Sequence, residues 1–397
     1  MQGGLFRSAA ILGLLSAVGP FSIDMYLPAM PEIGRALGAD VAGVQMTITA
    51  FFIAFGLAQF VYGPWADQAG RKPPLYLGLA IFVAGSLGCL MSDGIGTLTA
   101  WRFLQGLGAA VVMVVPRAIV RDLHTGHAAT RLMALIMLVI SVSPMLAPLA
   151  GSAVIALAGW RMIFAVLCLA AVASLLMTGF LLPETLRPED RVPVNLRSLA
   201  RGTATLLRDR MFMGLTFVGG FGMASFFVFI ASASFVYTGQ YGLSPTGFSL
   251  AFALNAIGFF AASQLAAGLG TRWGARRVVF WATAGFALCT LATLGLVGSG
   301  IDALPVLVAG LFLGNACLGL VIPTVMVMAL DDHGEIAGLA SSLGGTMQML
   351  AGGIVVILTG PFFDGTAVPM VAAIAACAVA ATGLAALVLS RPAPARV

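Results

Sequence analysis

The chain has 397 residues, of which 60% are hydrophobic and 9% are charged, and its mean hydropathy is +1.04. A soluble globular protein is typically about a quarter charged and needs a polar surface, so this composition excludes that class. The formal net charge of +5 comes from arginines between apolar segments, and the positive-inside rule explains this distribution without a nucleic-acid partner.

The long apolar segments predict an all-α integral membrane protein. A span takes roughly 20 apolar residues, so the chain has room for about twelve transmembrane helices. The segments are too long and too free of charge for the short alternating strands of a transmembrane β-barrel. The predicted spans are 8–34, 43–65, 74–93, 97–119, 129–157, 161–182, 211–239, 246–269, 276–298, 303–330, 336–360 and 366–390. An even number of spans places both termini on one side of the bilayer.

Basic residues indicate which side that is. They lie mostly in or beside the loops that follow even-numbered spans, whereas the opposite loops hold little beyond Arg35 and Arg161. They are Arg71, Lys72, Arg117, Arg121, Arg131, Arg187, Arg191, Arg197, Arg201, Arg208, Arg210, Arg272, Arg276, Arg277, Arg391 and Arg396. Because the bias in Lys and Arg sets orientation, we expect both termini and the central loop in the cytoplasm, with the protein in a bacterial inner membrane.

The one long polar segment, residues 183–210, lies at the middle of the chain. It predicts a cytoplasmic linker, helical from Asn195 to Arg208, between an N-terminal half of six helices (1–182) and a C-terminal half of six helices (211–397). Several transporter folds have two six-span halves that rock about a site at the bilayer midplane. A helix lying on anionic lipid is an alternative interpretation of this linker.

Asp24 in the first span is the one acidic residue well inside a predicted span. Because a bilayer penalises a charged carboxylate, such a residue is a candidate for proton or cation binding. Pro28 and Pro31 should loosen the helix just beyond it, and Tyr26 is a candidate cavity residue. The alternative is a structural ion pair between Asp24 and Arg102, which protonation would break.

The loop after the second span carries Gly63, Asp67, Gly70, Arg71 and Lys72. Glycine permits tight turns and close helix packing, an aspartate can cap a helix or pair with arginine, and the basic pair anchors the loop at the cytoplasmic face. This segment resembles the loop signature of the major facilitator superfamily, in which glycine, aspartate, glycine and a basic pair recur in this order. A generic polar loop is the alternative.

Arg102 and Gln105 lie three residues apart near the start of the fourth span, so they share a helix face. A charged residue within a span needs a polar partner or a wet cavity, and Gln105 is a candidate cavity residue. The segment resembles the span-four signature of the same superfamily, whose arginine is implicated in proton coupling. The alternative is an arginine that extends to the periplasmic headgroups, as we expect Arg117 to do at the cytoplasmic end.

The fifth span carries Pro144, Pro148 and Gly151, which resemble a motif of superfamily antiporters. That motif usually has glycine where this chain has Ser143 and Ala147. The degenerate copy favours export over import only modestly.

Polar side chains are few in the spans of the second half. They are Asn255, Gln264, Asn315 and Gln348, which either hydrogen-bond between helices or, for Asn255, Asn315 and Gln348, line a cavity. The five cysteines lie in apolar runs without metal-ligand spacing. We therefore expect small buried cysteine side chains and no metal site.

The run from Asp24 to Pro31 is similar to the first span of the Bcr/CflA drug-resistance group. Further matches are Arg121-Asp122, Gly159-Trp160-Arg161 and Pro183-Glu184-Thr185. The resemblance implies a major-facilitator-type fold and export of small, moderately apolar drugs of the bicyclomycin, chloramphenicol or sulfonamide kind. With Asp24 as the candidate proton-binding residue and Arg102 nearby, the leading hypothesis is drug/proton antiport.

A dedicated metabolite exporter and a proton symporter stay open, because the fold fixes neither direction nor cargo. A membrane enzyme is disfavoured, since the chain has three histidines and no nucleotide-binding loop. We expect a monomer whose partners are small molecules, protons and the lipid bilayer, driven by the proton motive force without a cofactor.

Overall fold

The structure, a computed structural model, describes residues 2–123, 126–191 and 195–390. Within these residues almost all of the backbone is helical, and none forms a strand. The described residues do not include Arg391 and Arg396 of the C-terminal tail or residues 192–194 of the predicted linker.

Fifteen α-helices follow one another in the described chain. They are α1 (Gln2–Asp24), α2 (Met30–Leu37), α3 (Val41–Ala69), α4 (Lys72–Leu90), α5 (Ile95–Ala109), α6 (Val111–Leu123), α7 (Gly126–Ala158), α8 (Arg161–Phe180), α9 (Leu196–Arg208), α10 (Arg210–Phe235), α11 (Pro245–Trp273), α12 (Ala275–Gly298), α13 (Leu304–Leu330), α14 (Ala337–Thr359) and α15 (Ala367–Leu389). Short 3₁₀-helices occupy Leu27–Ala29, Pro188–Asp190, Gly334–Ile336 and Gly360–Phe362, and a π-helical turn, Val236–Gln240, extends α10.

Twelve segments of the described chain are long and apolar enough to cross a bilayer, which confirms the predicted number. They are Ala9–Leu37, Val41–Ala69, Lys72–Leu90, Ile95–Leu123, Arg131–Ala158, Arg161–Phe180, Arg210–Gln240, Pro245–Trp273, Ala275–Gly298, Leu304–Leu330, Gly334–Phe362 and Ala367–Leu389. Several helices run past the predicted limits. The second span, predicted to end at residue 65, stays helical to Ala69 and stops at Gly70, whose φ of 97° an L side chain rarely adopts. A span predicted from hydropathy stops at the first polar residues, whereas the helix itself continues until the backbone turns.

Two of the spans contain a break. The first span ends its regular helix at Asp24, turns through Met25 and Tyr26, and resumes as α2 from Met30. Pro28 lies inside this break, and a proline cannot donate the backbone hydrogen bond that a continuing helix requires. The predicted loosening of the helix beyond Asp24 is thus present. The fourth span breaks more gently, at Ala110 between α5 and α6.

The helices pack in two compact units. The first comprises the described residues of Met1–Leu196 together with Leu243–Ala253, and the second those of Arg197–Gly242 and Leu254–Val397. In the first unit, α1 packs on α7, and α4 packs on α5 and α8. In the second, α10 packs on α14, and α12 packs on α13 and α15. Counted by span within each unit, the first span packs on the fifth, and the third packs on the fourth and the sixth. The two units therefore share these helix pairings.

Glycines let α5 approach its neighbours closely. A Cβ atom added at Gly106 would lie 2.4 Å from the carbonyl oxygen of Phe51 in α3. One added at Gly108 would lie 2.4 Å from the carbonyl oxygen of Gly78 in α4. Small residues are the usual means of helix contact in a bilayer, where hydrophobic burial between helices supplies little. These two contacts fix α5, the helix that carries Arg102, against α3 and α4.

Candidate functional site

Asp24 lies at the point where the helix of the first span breaks. Its residue is 4% exposed. Within the part of the chain that the structure describes, its carboxyl group makes no hydrogen bond and no ion pair. A buried acidic group normally has a partner, because the charged form is costly without one. The predicted alternative, a fixed ion pair between Asp24 and Arg102, is therefore not formed in this structure.

The fifth span holds the break in place from one side. A Cβ atom at Gly151 in α7 would lie 2.3 Å from the carbonyl oxygen of Met25, the residue that follows Asp24. Only a glycine allows this approach of two backbones. Pro144 and Pro148 lie in the same helix, which remains continuous through both. The predicted motif of the fifth span and the predicted acidic site of the first span are thus in direct contact.

We expect Gly151→Ala to lower the free energy of unfolding by about 1–3 kcal/mol, because the added methyl group meets a backbone oxygen that cannot rotate away. The measurement is thermal unfolding of the purified protein in detergent. Gly383→Ala is the matched control, since a Cβ atom there has nothing within 4 Å and alanine favours a helix over glycine. If both variants were as stable as the wild type, the contact at Met25 would carry no packing energy.

Arg102 is fully buried and lies between two aromatic rings. Its guanidinium carbon lies 4.6 Å from the ring centre of Tyr26 and 4.3 Å from that of Phe51. Its Nη1 atom donates to the backbone carbonyl of Ser22, at 3.1 Å, and to Oε1 of Gln105, at 2.6 Å. Aromatic faces attract a cation most strongly where water is absent. The predicted alternative, an arginine that extends to the headgroups, is wrong for Arg102.

Two hydrogen-bonded chains fix the polar side chains around this guanidinium. Gln105 donates through Nε2 to Ser86, at 2.8 Å, and the Ser86 hydroxyl donates to a backbone carbonyl. Thr47 likewise donates to a backbone carbonyl, so its oxygen, 2.6 Å from the Tyr26 hydroxyl, must accept the proton of Tyr26. Tyr26 and Gln105, both predicted cavity residues, therefore orient Arg102.

The guanidinium keeps unused donors. Its Nε and Nη2 atoms are buried and have no hydrogen-bond partner among the described residues. Buried donors of a charged group are rarely left unsatisfied, and each such atom costs free energy. Asp24 and Arg102 are therefore a buried acid and a buried base in one unit, neither neutralised by the other. Arg117, expected at the headgroups, is half-buried instead, and its Nε atom is enclosed without a partner.

Arg71 in the loop after the second span is the centre of a second charged cluster. Its Nε and Nη2 atoms donate to the two carboxylate oxygens of Asp122, at 2.7 and 3.1 Å, and its Nη1 atom donates to Asp67, at 2.6 Å. Burial alone would lower the pKa of Arg71, but these hydrogen bonds outweigh it and hold the pKa above its usual value. The predicted pairing of Asp67 with an arginine is therefore present, although its partner comes from the same loop.

Glu184 caps this loop from the other end of the first unit. Its carboxylate accepts the backbone N–H groups of Arg71, at 2.8 Å, and Lys72, at 3.1 Å, where α4 begins. Gly70 is needed here because a Cβ atom would lie 2.8 Å from the Glu184 carboxylate. At Gly63 no neighbouring atom requires a glycine, because a Cβ atom there would meet nothing within 4 Å.

Asp122 and Glu184 are the residues that sequence reasoning did not assign to the site. Both stand in segments that match the Bcr/CflA group, Arg121-Asp122 and Pro183-Glu184-Thr185, and the Thr185 hydroxyl donates to Asp122, at 2.8 Å. These two segments and the loop that carries Arg71 are far apart in the chain, yet they form one hydrogen-bonded cluster. The resemblance of these two segments to the Bcr/CflA group could have pointed to Asp122 and Glu184, but it does not indicate which side chains they pair with.

The carboxylate of Glu184 should make stability depend on acid pH. Burial would raise its pKa, but backbone N–H groups of Arg71, Lys72, Leu186 and Thr185 outweigh this and hold the pKa below its usual 4.5. The stabilisation is therefore complete above about pH 4.5 and is lost as the pH falls through the lower folded-state value. We expect Glu184→Gln to lower the melting temperature at pH 7, with a smaller difference from the wild type at pH 3.5. Glu189→Gln, an exposed neighbour, should change neither value; equal curves for all three proteins would contradict the role of Glu184.

The second unit contributes amide side chains and no comparable charged site within its described spans. Asn315 donates to Asn255 between α13 and α11, at 3.4 Å. Gln348 of α14 packs against α10, where a Cβ atom at Gly219 would lie 2.6 Å from its Nε2 atom. Gln264 is exposed. The pairing of Asn255 with Asn315 is of the interhelix kind, and the role of these amides in a cavity stays a prediction.

Comparison with known proteins agrees with this arrangement of helices. A family model described as Major Facilitator Superfamily matches residues 12–356. The chain is 36% identical to the "Uncharacterized MFS-type transporter YdgK" of Bacillus subtilis, over 91% of this chain and 90% of that protein. It is 31% identical to the "Bicyclomycin resistance protein homolog" of Haemophilus influenzae, over 95% of each. Among solved structures, a D-xylose-proton symporter superposes with a TM-score of 0.76 at 14% identity, over 96% of this chain and 97% of that one.

Proposed function

Because the chain belongs to the major facilitator superfamily of membrane transporters, we propose that it is a proton-coupled antiporter that exports small, moderately apolar compounds. The resemblance to the Bcr/CflA drug-resistance group is confirmed by its relatives, which include proteins named for resistance to bicyclomycin and to several drugs. The xylose symporter shares the fold alone, at an identity too low to indicate cargo or direction.

The observation that carries the coupling proposal is Asp24. A carboxyl group that is buried in a span and has no partner there favours its neutral form, so it takes up a proton readily and gives it up when its surroundings change. It lies at a break in its own helix, where a small change in backbone geometry alters those surroundings. A structural carboxylate would be held by donors, as Asp122 and Glu184 are in the first unit.

Arg102 is the proposed second coupling residue. Its Nε and Nη2 atoms have no acceptor among the described residues, although the guanidinium is fully buried. In the proposed mechanism a ligand acceptor, a water molecule and the deprotonated Asp24 are alternative acceptors for these two donors. We propose that proton release from Asp24 and substrate binding compete through this guanidinium, with the proton motive force as the energy source and no cofactor.

The polarity of the remaining candidates favours cargo with few charges. Tyr26, Gln105, Asn255, Asn315 and Gln348 offer hydroxyl and amide groups, and Asp24 and Arg102 are the charged members of the proposed set. We propose that Arg71 and its cluster act in the conformational change and not in binding. Both termini are proposed to be cytoplasmic, since the basic loops follow the even-numbered spans.

The test uses inside-out membrane vesicles that contain the protein and a pH-sensitive dye. Respiration acidifies the vesicle lumen, and a panel of drugs is then added outside. Antiport predicts that an exported drug immediately raises the luminal pH, because protons leave as the drug enters. A symporter would give no response here but would alkalinise the medium of de-energised right-side-out vesicles. No response in either arrangement would reject drug/proton exchange and leave a dedicated metabolite exporter.

A further inference from the structure

The helix α9, which precedes the span α10, turns an arginine-bearing face away from the second unit. Arg197, Arg201 and Arg208 are exposed. On the opposite face Leu206 is fully buried, and a Cβ atom at Gly202 would lie 2.6 Å from a methyl group of Leu339 in α14. Part of the apolar surface of α9 is thus covered by protein, whereas Leu207 stays 46% exposed.

The solvent-open space over this face, about 590 Å³, is called the groove below. Its lining residues are Arg201, Ala204, Thr205, Arg208 and Asp209. Arg201 and Arg208 are seven residues apart, which is two turns, so their side chains project from the same face. Neither makes an ion pair with a described residue. The Thr205 hydroxyl donates to the carbonyl of Arg201, at 3.0 Å, which leaves the two guanidinium groups as the donors of the groove.

The one acidic group of the groove is already engaged. Asp209 accepts the backbone N–H of Met211 at the start of α10, at 2.8 Å, and lies 2.7 Å from Nε2 of His333. It forms no ion pair with Arg201 or Arg208 among the described contacts. The groove therefore presents two arginines against one carboxylate whose two oxygens each have another partner. This arrangement attracts an anion.

The groove lies directly beside a segment that is long and apolar enough to cross a bilayer. The span begins at Arg210, and Arg208 is two residues earlier, so its Cα lies within about 7 Å of that of Arg210. The polar layer of each leaflet is roughly 5–8 Å thick, from a bilayer of about 40–45 Å with a hydrocarbon core of about 30 Å. Basic clusters directly beside a transmembrane helix attract anionic lipids.

We propose that the groove formed by Arg201 and Arg208 binds the phosphate of an anionic phospholipid from the adjoining leaflet. A guanidinium group binds a phosphate through paired N–H donors, which an ammonium group cannot reproduce. Two such groups on one helix face hold the headgroup beside the first turn of α10. The site is separate from Asp24 and Arg102, and its test does not depend on transport.

The test measures lipid binding to the purified protein in a neutral detergent. Phosphatidylglycerol is titrated, and bound lipid is counted by native mass spectrometry, with phosphatidylcholine and free inorganic phosphate as parallel titrations. We expect Arg201→Gln/Arg208→Gln to weaken phosphatidylglycerol binding about 30-fold, since each arginine beside a membrane contributes roughly fivefold to this attraction. The matched control, Arg272→Gln/Arg277→Gln, removes the same charge from exposed positions beside two other spans and should weaken phosphatidylglycerol binding much less than the groove variant does.

Three outcomes would overturn the proposal. Equal loss in both double variants would mean that net charge, and not the groove, attracts the lipid. Phosphatidylcholine bound as tightly as phosphatidylglycerol would remove the role of charge. Competition by inorganic phosphate at similar concentrations would assign the groove to a free anion. Arg201→Lys/Arg208→Lys should fall between the wild type and the glutamine variant, because charge is kept and the paired donors are lost.

Discussion

Asp24→Asn is expected to abolish proton release upon drug addition in inside-out vesicles while leaving the amount of folded protein unchanged. Asparagine has nearly the same shape as a neutral aspartic acid but cannot bind and release a proton. Because Asp24 has no hydrogen-bond or ion-pair partner among the described residues, the substitution breaks no contact. The expected loss is therefore in coupling alone, and it should be complete.

Two control variants distinguish the loss of proton coupling at Asp24 from the loss of a carboxylate at any other position. Asp24→Glu keeps an ionisable group and should retain part of the response, with a shifted pH dependence. Asp93→Asn removes one carboxylate from a side chain that is fully exposed and should behave as the wild type. Proton release that persists in Asp24→Asn would move the coupling site elsewhere. A fall in melting temperature would instead show that Asp24 contributes to the fold.

Much of the architecture could be predicted because a bilayer imposes simple requirements. Twelve apolar segments of sufficient length require twelve helices. A loosening of the helix beyond Asp24 was also predicted, since Pro28 and Pro31 weaken its hydrogen bonding, although Pro144 and Pro148 leave α7 continuous. Helix limits were less accurate: the second span continues to Ala69 because polar residues do not end a helix, whereas Gly70 does.

The partners of the charged side chains could not be predicted, because they come from other spans. Arg102 was expected to need a polar partner or a wet cavity, and Gln105 is such a partner. The aromatic rings on either side of its cation, Tyr26 of the first span and Phe51 of the second, were not predicted. Nothing in the sequence spacing joins Phe51 to Arg102; the close approach at Gly106 does. Likewise Gly151 was predicted only as part of the fifth-span motif, because its contact with Met25 depends on how α1 and α7 meet.

Arg102→Gln is expected to abolish transport without destabilising the protein, which separates a functional arginine from a structural one. Among the described residues the buried guanidinium has no acidic partner and two unsatisfied donors. The desolvation cost of its charge therefore offsets what its two hydrogen bonds and two ring contacts contribute. Glutamine keeps an amide donor for Gln105. We therefore expect the free energy of unfolding to change by less than about 1 kcal/mol or to rise, while drug-evoked proton release is lost.

Arg161→Gln is the matched control for this prediction. Arg161 also stacks on an aromatic ring, 4.3 Å from the centre of Trp160, and donates to a backbone carbonyl, at 2.9 Å, but its side chain is 41% exposed. It should keep transport. The measurements are thermal unfolding and the vesicle assay on the same preparations. A strongly lowered melting temperature in Arg102→Gln would mean that the stacking on Tyr26 and Phe51 holds the first unit together, whereas normal transport would remove Arg102 from the coupling step and leave Asp24 to act without it.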